Sequence, residues 1–120
     1  MQFDQDSISS QAELFLYLRS FLLSFQEIHE KKTPKQTTYA DAYSAVCMLR
    51  VRQNRVRLSF ANGAKMSEQF DGLKGVAKHV RYIDFTKQSE VDKSLLQKMI
   101  KESLLLNMEK AALRDLKKYL

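Results

Sequence analysis

The sequence predicts an α+β domain of two layers, in which an N-terminal helix and a C-terminal helix cover one face of an antiparallel sheet. Apolar residues recur at helical spacing near both ends of the chain, and between them two segments alternate apolar and polar residues. The 120 residues suffice for one domain with one core. We therefore expect one domain over residues 1–106 and a helical extension of the same domain over residues 107–120.

The first helix is predicted from about residue 10 to residue 29. Ser10 and Glu13 have the spacing of a capping box, in which each side chain bonds the other residue's backbone N–H. Apolar residues then follow at helical spacing, at Leu14, Leu18, Phe21, Leu22, Phe25 and Ile28. The polar segment 30–36, which contains the only proline, predicts a loop. Residues 37–40 are rich in β-formers and predict a short strand.

The clearest strand signal lies between Val46 and Phe60, where apolar and polar residues alternate on both sides of Gln53-Asn54. If Gln53-Asn54 is a two-residue turn, the register of the hairpin is fixed. The predicted pairs on the core side are Val51 with Val56, Leu49 with Leu58 and Cys47 with Phe60. The predicted pairs on the outward side are Arg52 with Arg55 and Arg50 with Arg57.

A long connection with all three glycines is predicted over residues 61–78, followed by a strand over residues 79–85. On that strand Ile83 and Phe85 share the inward side, and Tyr82 and Asp84 share the outward side. Arg81 has the inward parity, so a buried guanidinium there needs carboxylates or carbonyls as partners.

The last helix is predicted to begin after the capping signal of residues 89–92 and to run to the end of the chain without a proline or glycine. Such a helix spans about 45 Å at 1.5 Å per residue, which exceeds the width of a domain of this size. The helix therefore either bends near Asn107 or projects its last turns. Residues 107–120 could pack back onto their own domain, form a homodimer, or lie on a membrane surface.

The outward arginines are the most unusual feature, because like charges directly opposite one another destabilise a sheet. One interpretation is a solvated or locally paired face, with Asp84 neutralising part of the charge and Tyr82 stacking on a guanidinium. The other is an anion-binding face for nucleic acid, phosphate or an acidic protein, which the net charge of +6 favours. The candidate anion-binding residues are Arg50, Arg52, Arg55, Arg57, Lys74, Lys78 and Arg81.

Catalytic and metal-binding patterns are not found in the sequence. A single cysteine, Cys47, excludes an internal disulfide and a cysteine metal site, and it suits a reducing cytoplasm. His29, His79 and the carboxylates show no ligand spacing, so we expect no metal site and no cofactor. No nucleophile has a base placed beside it, so we do not expect an enzyme. The acidic start and the absence of a long apolar run predict neither a secretory signal nor a membrane span.

A family resemblance rests on the strand and turn over residues 55–66, on Leu73-Lys74-Gly75-Val76-Ala77-Lys78, and on Arg81-Tyr82-Ile83. Together these stretches resemble the YdhG-like family of unknown function, over most of residues 12–105. The chain departs from the family at Ala77, where a second glycine is usual, and at Thr37-Thr38, where a Gly-Pro pair is usual. The segment after Leu106 has no counterpart in the family.

The resemblance implies a helix, an antiparallel sheet and a closing helix, with no catalytic residues to carry over. The function predicted is a small cytoplasmic, non-catalytic binding module of the YdhG-like type, with its ligand unknown. One branch of the family is described as a frataxin-like bacterial iron chaperone, so intracellular iron binding is an alternative. Anion or nucleic-acid binding through the arginines is the other.

Overall fold

The computed structural model describes residues 1–120 and shows a two-layer α+β fold, as predicted. The helices are α1 (Gln2–Asp6), α2 (Ala12–Leu23), α3 (Gly63–Met66) and α4 (Lys93–Lys117). The strands are β1 (His29–Lys32), β2 (Thr37–Ala40), β3 (Ala45–Arg52), β4 (Arg55–Phe60) and β5 (Arg81–Phe85). The strands form one antiparallel sheet in the order β1-β2-β3-β4-β5, so each strand pairs with its neighbours in sequence.

The register of the β3–β4 hairpin is the one that the sequence predicts. Val51 pairs with Val56, Leu49 with Leu58, Cys47 with Phe60, Arg52 with Arg55, and Arg50 with Arg57. Gln53 and Asn54 both have positive φ, at 50° and 60°, as the two central residues of a type I′ turn require. That turn matches the right-handed twist of the strands, so the pairing follows directly from the turn.

The core lies between the inward face of the sheet and helices α2 and α4. It is one cluster of 18 buried residues, to which α2 contributes Leu14, Phe15, Leu18 and Leu22 and α4 contributes Leu96, Met99, Ile100 and Leu106. The largest fully buried side chains are Tyr39, Phe15 and Phe60. Because both long helices pack on this face, the outward face of β3, β4 and β5 has no helix over it.

The prediction for the first helix was wrong at both ends. Helix α2 begins at Ala12 after Gln11 and has no side-chain cap, because the Ser10 hydroxyl bonds the Asn54 side chain instead. The helix ends at Leu23, and Ile28 packs into the core from the turn that precedes β1. The apolar residues therefore keep helical spacing beyond the end of the helix, because Phe25 and Ile28 pack against the core from a turn.

The polar segment predicted as a loop contributes strand β1, and the short helix α1 was not predicted. Strand β1 has the sequence His-Glu-Lys-Lys and pairs with β2 at the edge of the sheet. Charged residues are common on edge strands because they discourage pairing with other chains. The composition of β1 therefore does not predict a strand, and only its pairing with β2 shows that it is one.

Helix α4 begins after Asp92, whose carboxylate accepts a hydrogen bond of 3.1 Å from the backbone N–H of Leu95. It continues through Asn107, which is 2% exposed and whose side chain accepts from Asn62 and donates to the carbonyl of Ala45. Ala111 is the last buried residue of the helix. Of the two predicted alternatives, the helix projects its last turns, and the molecule accordingly measures 52 × 29 × 27 Å.

No helix combines the length and the apolar character that crossing a bilayer requires.

Candidate anion-binding site

Four arginines lie together on the outward face of the hairpin, as the register predicts. Arg50 and Arg52 on β3 stand directly opposite Arg57 and Arg55 on β4. We refer to these four residues, Arg50, Arg52, Arg55 and Arg57, as the arginine face. Opposed like charges are unfavourable on a sheet, so the way in which each guanidinium is compensated determines what the face can bind.

Arg57 is compensated by its own sheet. Its Nε and Nη2 donate to the two carboxylate oxygens of Asp84, at 2.9 and 3.0 Å, and its guanidinium lies 3.6 Å from the centroid of the Tyr82 ring. The hydrogen bonds from Arg57 hold the pKa of Asp84 below its ordinary value. The predicted roles of Asp84 and Tyr82 are therefore both present, and both are directed to Arg57.

The other three arginines lack such compensation. Arg55 approaches Asp84 only to 3.9 Å and its side chain is 54% exposed. Arg50 and Arg52 have no carboxylate within ion-pair distance, although the more distant Asp6 interacts electrostatically with Arg50. The Nε of Arg50 is buried and has no hydrogen-bond partner. Only Arg55 and Arg57 thus have a carboxylate, Asp84, within ion-pair distance, and the face keeps a positive excess.

A loop bends over the edge of this face and turns it into a hollow. Lys74 pairs with Tyr82 through two backbone hydrogen bonds of 2.9 Å, which places the Lys74 side chain on the outward side of the sheet. Gly75 then adopts φ +119°, and a Cβ at this position would lie 3.3 Å from the Tyr82 ring. Only glycine adopts this conformation so close to an aromatic ring without strain.

The hollow between the loop and the arginine face has a volume of about 380 Å³. Its lining residues are Gln36, Arg50, Arg57, Ser59, Gly75, Val76, Ala77, Val80 and Tyr82. Side-chain donors stand on the sheet side and small apolar groups stand on the loop side. That volume suits a small anionic group with an apolar portion, since ligand pockets begin near 300 Å³.

The seven predicted anion-binding residues do not all lie at the hollow. Arg50 and Arg57 line the hollow, and Arg52 and Arg55 extend the face beyond it. The other three candidates belong to the loop and its anchor, and they are Lys74, Lys78 and Arg81.

Arg81 takes the inward parity that the sequence predicts, opposite Phe60. Its guanidinium donates to the backbone carbonyls of Ala77 and Val80, so it holds the loop from beneath instead of facing the hollow. Lys78 is exposed on the loop and does not line the hollow. Arg81 is only partly buried, and backbone carbonyls are one of the two kinds of partner that the sequence predicts for its guanidinium.

Seven of the nine lining residues were not among the candidates, and they include the polar side chains of Gln36 and Ser59. Ser59 follows the outward alternation of β4 after Arg55 and Arg57, so strand parity was the signal that could have identified it. Gln36 immediately precedes β2, and no pattern in the sequence associates it with the hairpin.

The metal ligands considered from the sequence are not brought together in the fold. No three His, Cys, Asp or Glu side chains lie together in a way that could hold a metal ion. Burial raises the pKa of the Cys47 thiol, so this side chain stays protonated and packs as a small core residue. The iron-binding alternative therefore finds no ligand cluster to support it.

Comparison with known proteins bears on the fold. No protein-family model matches the chain. No curated protein matches it. Among solved structures, that of a DUF1801 family protein from Bacillus subtilis, YdhG, matches with a TM-score of 0.53 at 16% identity. The match covers 79% of this chain and 75% of that chain. The chain therefore has the fold of YdhG, and the YdhG-like resemblance predicted from the sequence is confirmed at the level of the fold.

Proposed function

We propose that this chain is a non-catalytic binding module that takes an anionic ligand on its arginine face. The observation that supports the proposal most directly is that only two of the four arginines have a carboxylate within ion-pair distance, and that the face borders a hollow of about 380 Å³. A guanidinium without a carboxylate partner matches the geometry of a phosphate or carboxylate group. We infer that the ligand carries such a group.

Arg50 is the residue best placed to bind the ligand. It lines the hollow and has no carboxylate within 4 Å, and its Nε is buried without a partner. Arg57 has two of its nitrogens engaged by Asp84, which fixes the orientation of its guanidinium. An anion between the two side chains would supply the missing partner of Arg50, and Arg57 would orient it.

A polyanion is the second candidate ligand, because the face continues past the hollow. Arg52 and Arg55 form a pair beyond Arg50 and Arg57 on the same side of the sheet, and both are exposed. A single-stranded nucleic acid would contact this second pair as well as the hollow, whereas a small anion would contact the hollow alone. The two ligands therefore differ in which pair of arginines they require.

A non-catalytic role fits the lining of the hollow. No carboxylate, histidine or cysteine is among its residues, so the groups that most often act as general base are missing from it. We also propose a cytoplasmic location, since a lone buried thiol such as Cys47 is suited to a reducing compartment.

We expect Arg50→Gln combined with Arg52→Gln to weaken binding of a labelled 12-nucleotide single strand by at least about tenfold. Each lost phosphate contact removes one released counterion, so the slope of log Kobs against log salt should fall by about 0.7 per contact. Fluorescence anisotropy at several salt concentrations measures both quantities. These two arginines make no ion pair in the free protein, so the fold is expected to tolerate their loss.

The matched control is Arg114→Gln combined with Lys117→Gln, which removes the same charge from exposed positions of helix α4, away from the arginine face. Equal loss of binding in both double variants would show that net charge alone governs binding and would contradict the proposal. To identify the ligand class, phenyl phosphate is titrated against Arg50→Gln and against Arg52→Gln/Arg55→Gln. Small-anion binding should be lost only in Arg50→Gln, whereas strand binding should weaken in both. If wild type binds neither probe, the proposal fails.

A further inference from the structure

Helix α4 has apolar residues on two opposite sides. One side faces the core through buried residues of the helix, which are Leu96, Met99, Ile100, Ser103, Leu106, Asn107 and Ala111. At 3.6 residues per turn, a second row lies half a turn away from these positions. We call this row the outer stripe, and it consists of Leu105, Met108, Ala112, Leu116 and Tyr119.

Most of the outer stripe is exposed, although Met108 lies beside Ala42 and Tyr43 of its own domain. Leu105 is 45% exposed, Met108 51%, Leu116 61% and Tyr119 89%. Beyond Ala111, the side of the helix that continues the core-facing row carries cations, at Arg114, Lys117 and Lys118. The projecting turns therefore cannot fold back on apolar contacts of that row, and the outer stripe faces away from the domain.

The charges at Lys101 and Asp115 are complementary to each other across a two-fold axis. Lys101 lies in line with Tyr119 of the stripe, and Asp115 lies beside the stripe on the side of Met108. Each is seven residues from Met108, which is about 10.5 Å along the helix axis. If a second α4 lies antiparallel with a two-fold axis at Met108, Lys101 of each copy stands level with Asp115 of the other. Two ion pairs form across the axis, and Leu105 enters the space between Met108 and Ala112 of the second copy.

We propose that two copies of this chain associate through their outer stripes, with the α4 helices antiparallel about a two-fold axis at Met108. The helices overlap over about 35 Å and are about 10 Å wide. This is a small contact by the standards of specific interfaces. The association is therefore weak, with a dissociation constant in the micromolar range. Because the helix layer lies on the opposite side of the sheet, both arginine faces stay open in the dimer.

Sedimentation equilibrium of the full chain, from about 5 to about 500 µM, tests the proposal. The average mass should rise from 14.0 kDa towards twice that value with increasing concentration. Met108→Glu places two like charges at the axis and should leave the chain monomeric throughout. Met108 is half exposed, so this variant should retain its fold, which circular dichroism checks. Lys117→Glu, on the cationic side of the same helix, should associate like wild type.

A charge exchange tests the antiparallel register. Lys101→Asp and Asp115→Lys should each weaken association by about tenfold, whereas the double variant should return to within about threefold of wild type. A wild-type chain that stays monomeric at 500 µM overturns the proposal, and so does a Met108→Glu variant that associates normally. A double variant no better than the single ones overturns the register. None of these results depends on whether the arginine face binds an anion.

Discussion

Gly63→Ala is expected to destabilise the domain by about 3 kcal/mol, at the upper end of what overpacking costs. A Cβ at Gly63 would lie 2.4 Å from the backbone nitrogen of Arg81, 2.5 Å from its Cβ and 2.8 Å from its Cα. These are atoms of strand β5, which is held in register by β4, and not the end of a flexible side chain. Either α3 or β5 must move, and the contact between Ala64 N and His79 O, at 2.7 Å, must change with it.

Gly72→Ala is the matched control, because it adds the same methyl group where there is space for it. No atom lies within 4 Å of a Cβ at Gly72, although its φ of +87° makes alanine strained there by about 1 kcal/mol. Urea denaturation followed by circular dichroism measures both free energies of unfolding. If Gly63→Ala lowers stability no more than Gly72→Ala, the close approach of α3 to β5 is not as tight as described.

The same substitution connects the fold to the proposed site. Arg81 holds the loop over the hollow through the carbonyls of Ala77 and Val80. A displaced Arg81 would loosen that loop without changing the charge of the arginine face. Binding of phenyl phosphate should therefore weaken in Gly63→Ala under conditions where the variant is folded, while the salt dependence of strand binding stays close to that of wild type.

The arginine face was predictable because its position depends on local rules. Apolar and polar residues alternate strictly on either side of Gln53-Asn54, so only one register of β3 and β4 puts all apolar residues on the same face of the sheet. In that register the four arginines lie together on the opposite face. Asp84 and Tyr82 followed from the parity of a later strand. Each step needed only the period of a strand and the geometry of a two-residue turn.

The hollow was not predictable in the same way. It depends on a loop without periodicity, on the positive φ of Gly75, and on one isolated bridge between Lys74 and Tyr82. Nothing local to the sequence specifies where such a loop crosses the sheet. The end of α2 was missed for a related reason, since Phe25 and Ile28 contact the core from outside a helix and keep its apparent period.

Glu30→Ala is expected to lower the free energy of unfolding by about 2–3 kcal/mol, because Glu30 accepts hydrogen bonds from two side chains on the core side of the sheet. Arg19 donates to its carboxylate through Nε at 2.6 Å and Nη2 at 2.9 Å, and the hydroxyl of Tyr39 donates to it at 2.9 Å. Tyr39 is fully buried, so its hydroxyl would lose its only partner. The side chain of Arg19 is 33% exposed, so water would recover part of the loss and keep the cost below that of a fully buried pair.

The ion pair between Arg19 and Glu30 also makes the free energy of unfolding depend on pH. Glu30→Gln should remove its part of that dependence. The hydrogen bond from Arg19 lowers the pKa of Glu30 below its ordinary value of 4.5, and Arg57 lowers the pKa of Asp84 in the same way. A carboxyl with a lowered pKa stabilises the fold above its ordinary pKa and loses that contribution as the pH falls through the folded value. We therefore expect the free energy of unfolding to fall as the pH drops below about 4.5.

Asp6 provides a control for this pH dependence, because its pKa is shifted in the opposite direction. Burial raises its pKa above the ordinary 3.8, so its ionisation opposes folding and acidification relieves that cost. Asp6→Asn should therefore lose stability more steeply than wild type between pH 5 and pH 3, and Glu30→Gln less steeply. Urea denaturation at pH 7, 5, 4 and 3 measures the three slopes. A Glu30→Gln variant with the wild-type slope would mean that the bond from Arg19 does not stabilise the charged carboxylate in solution.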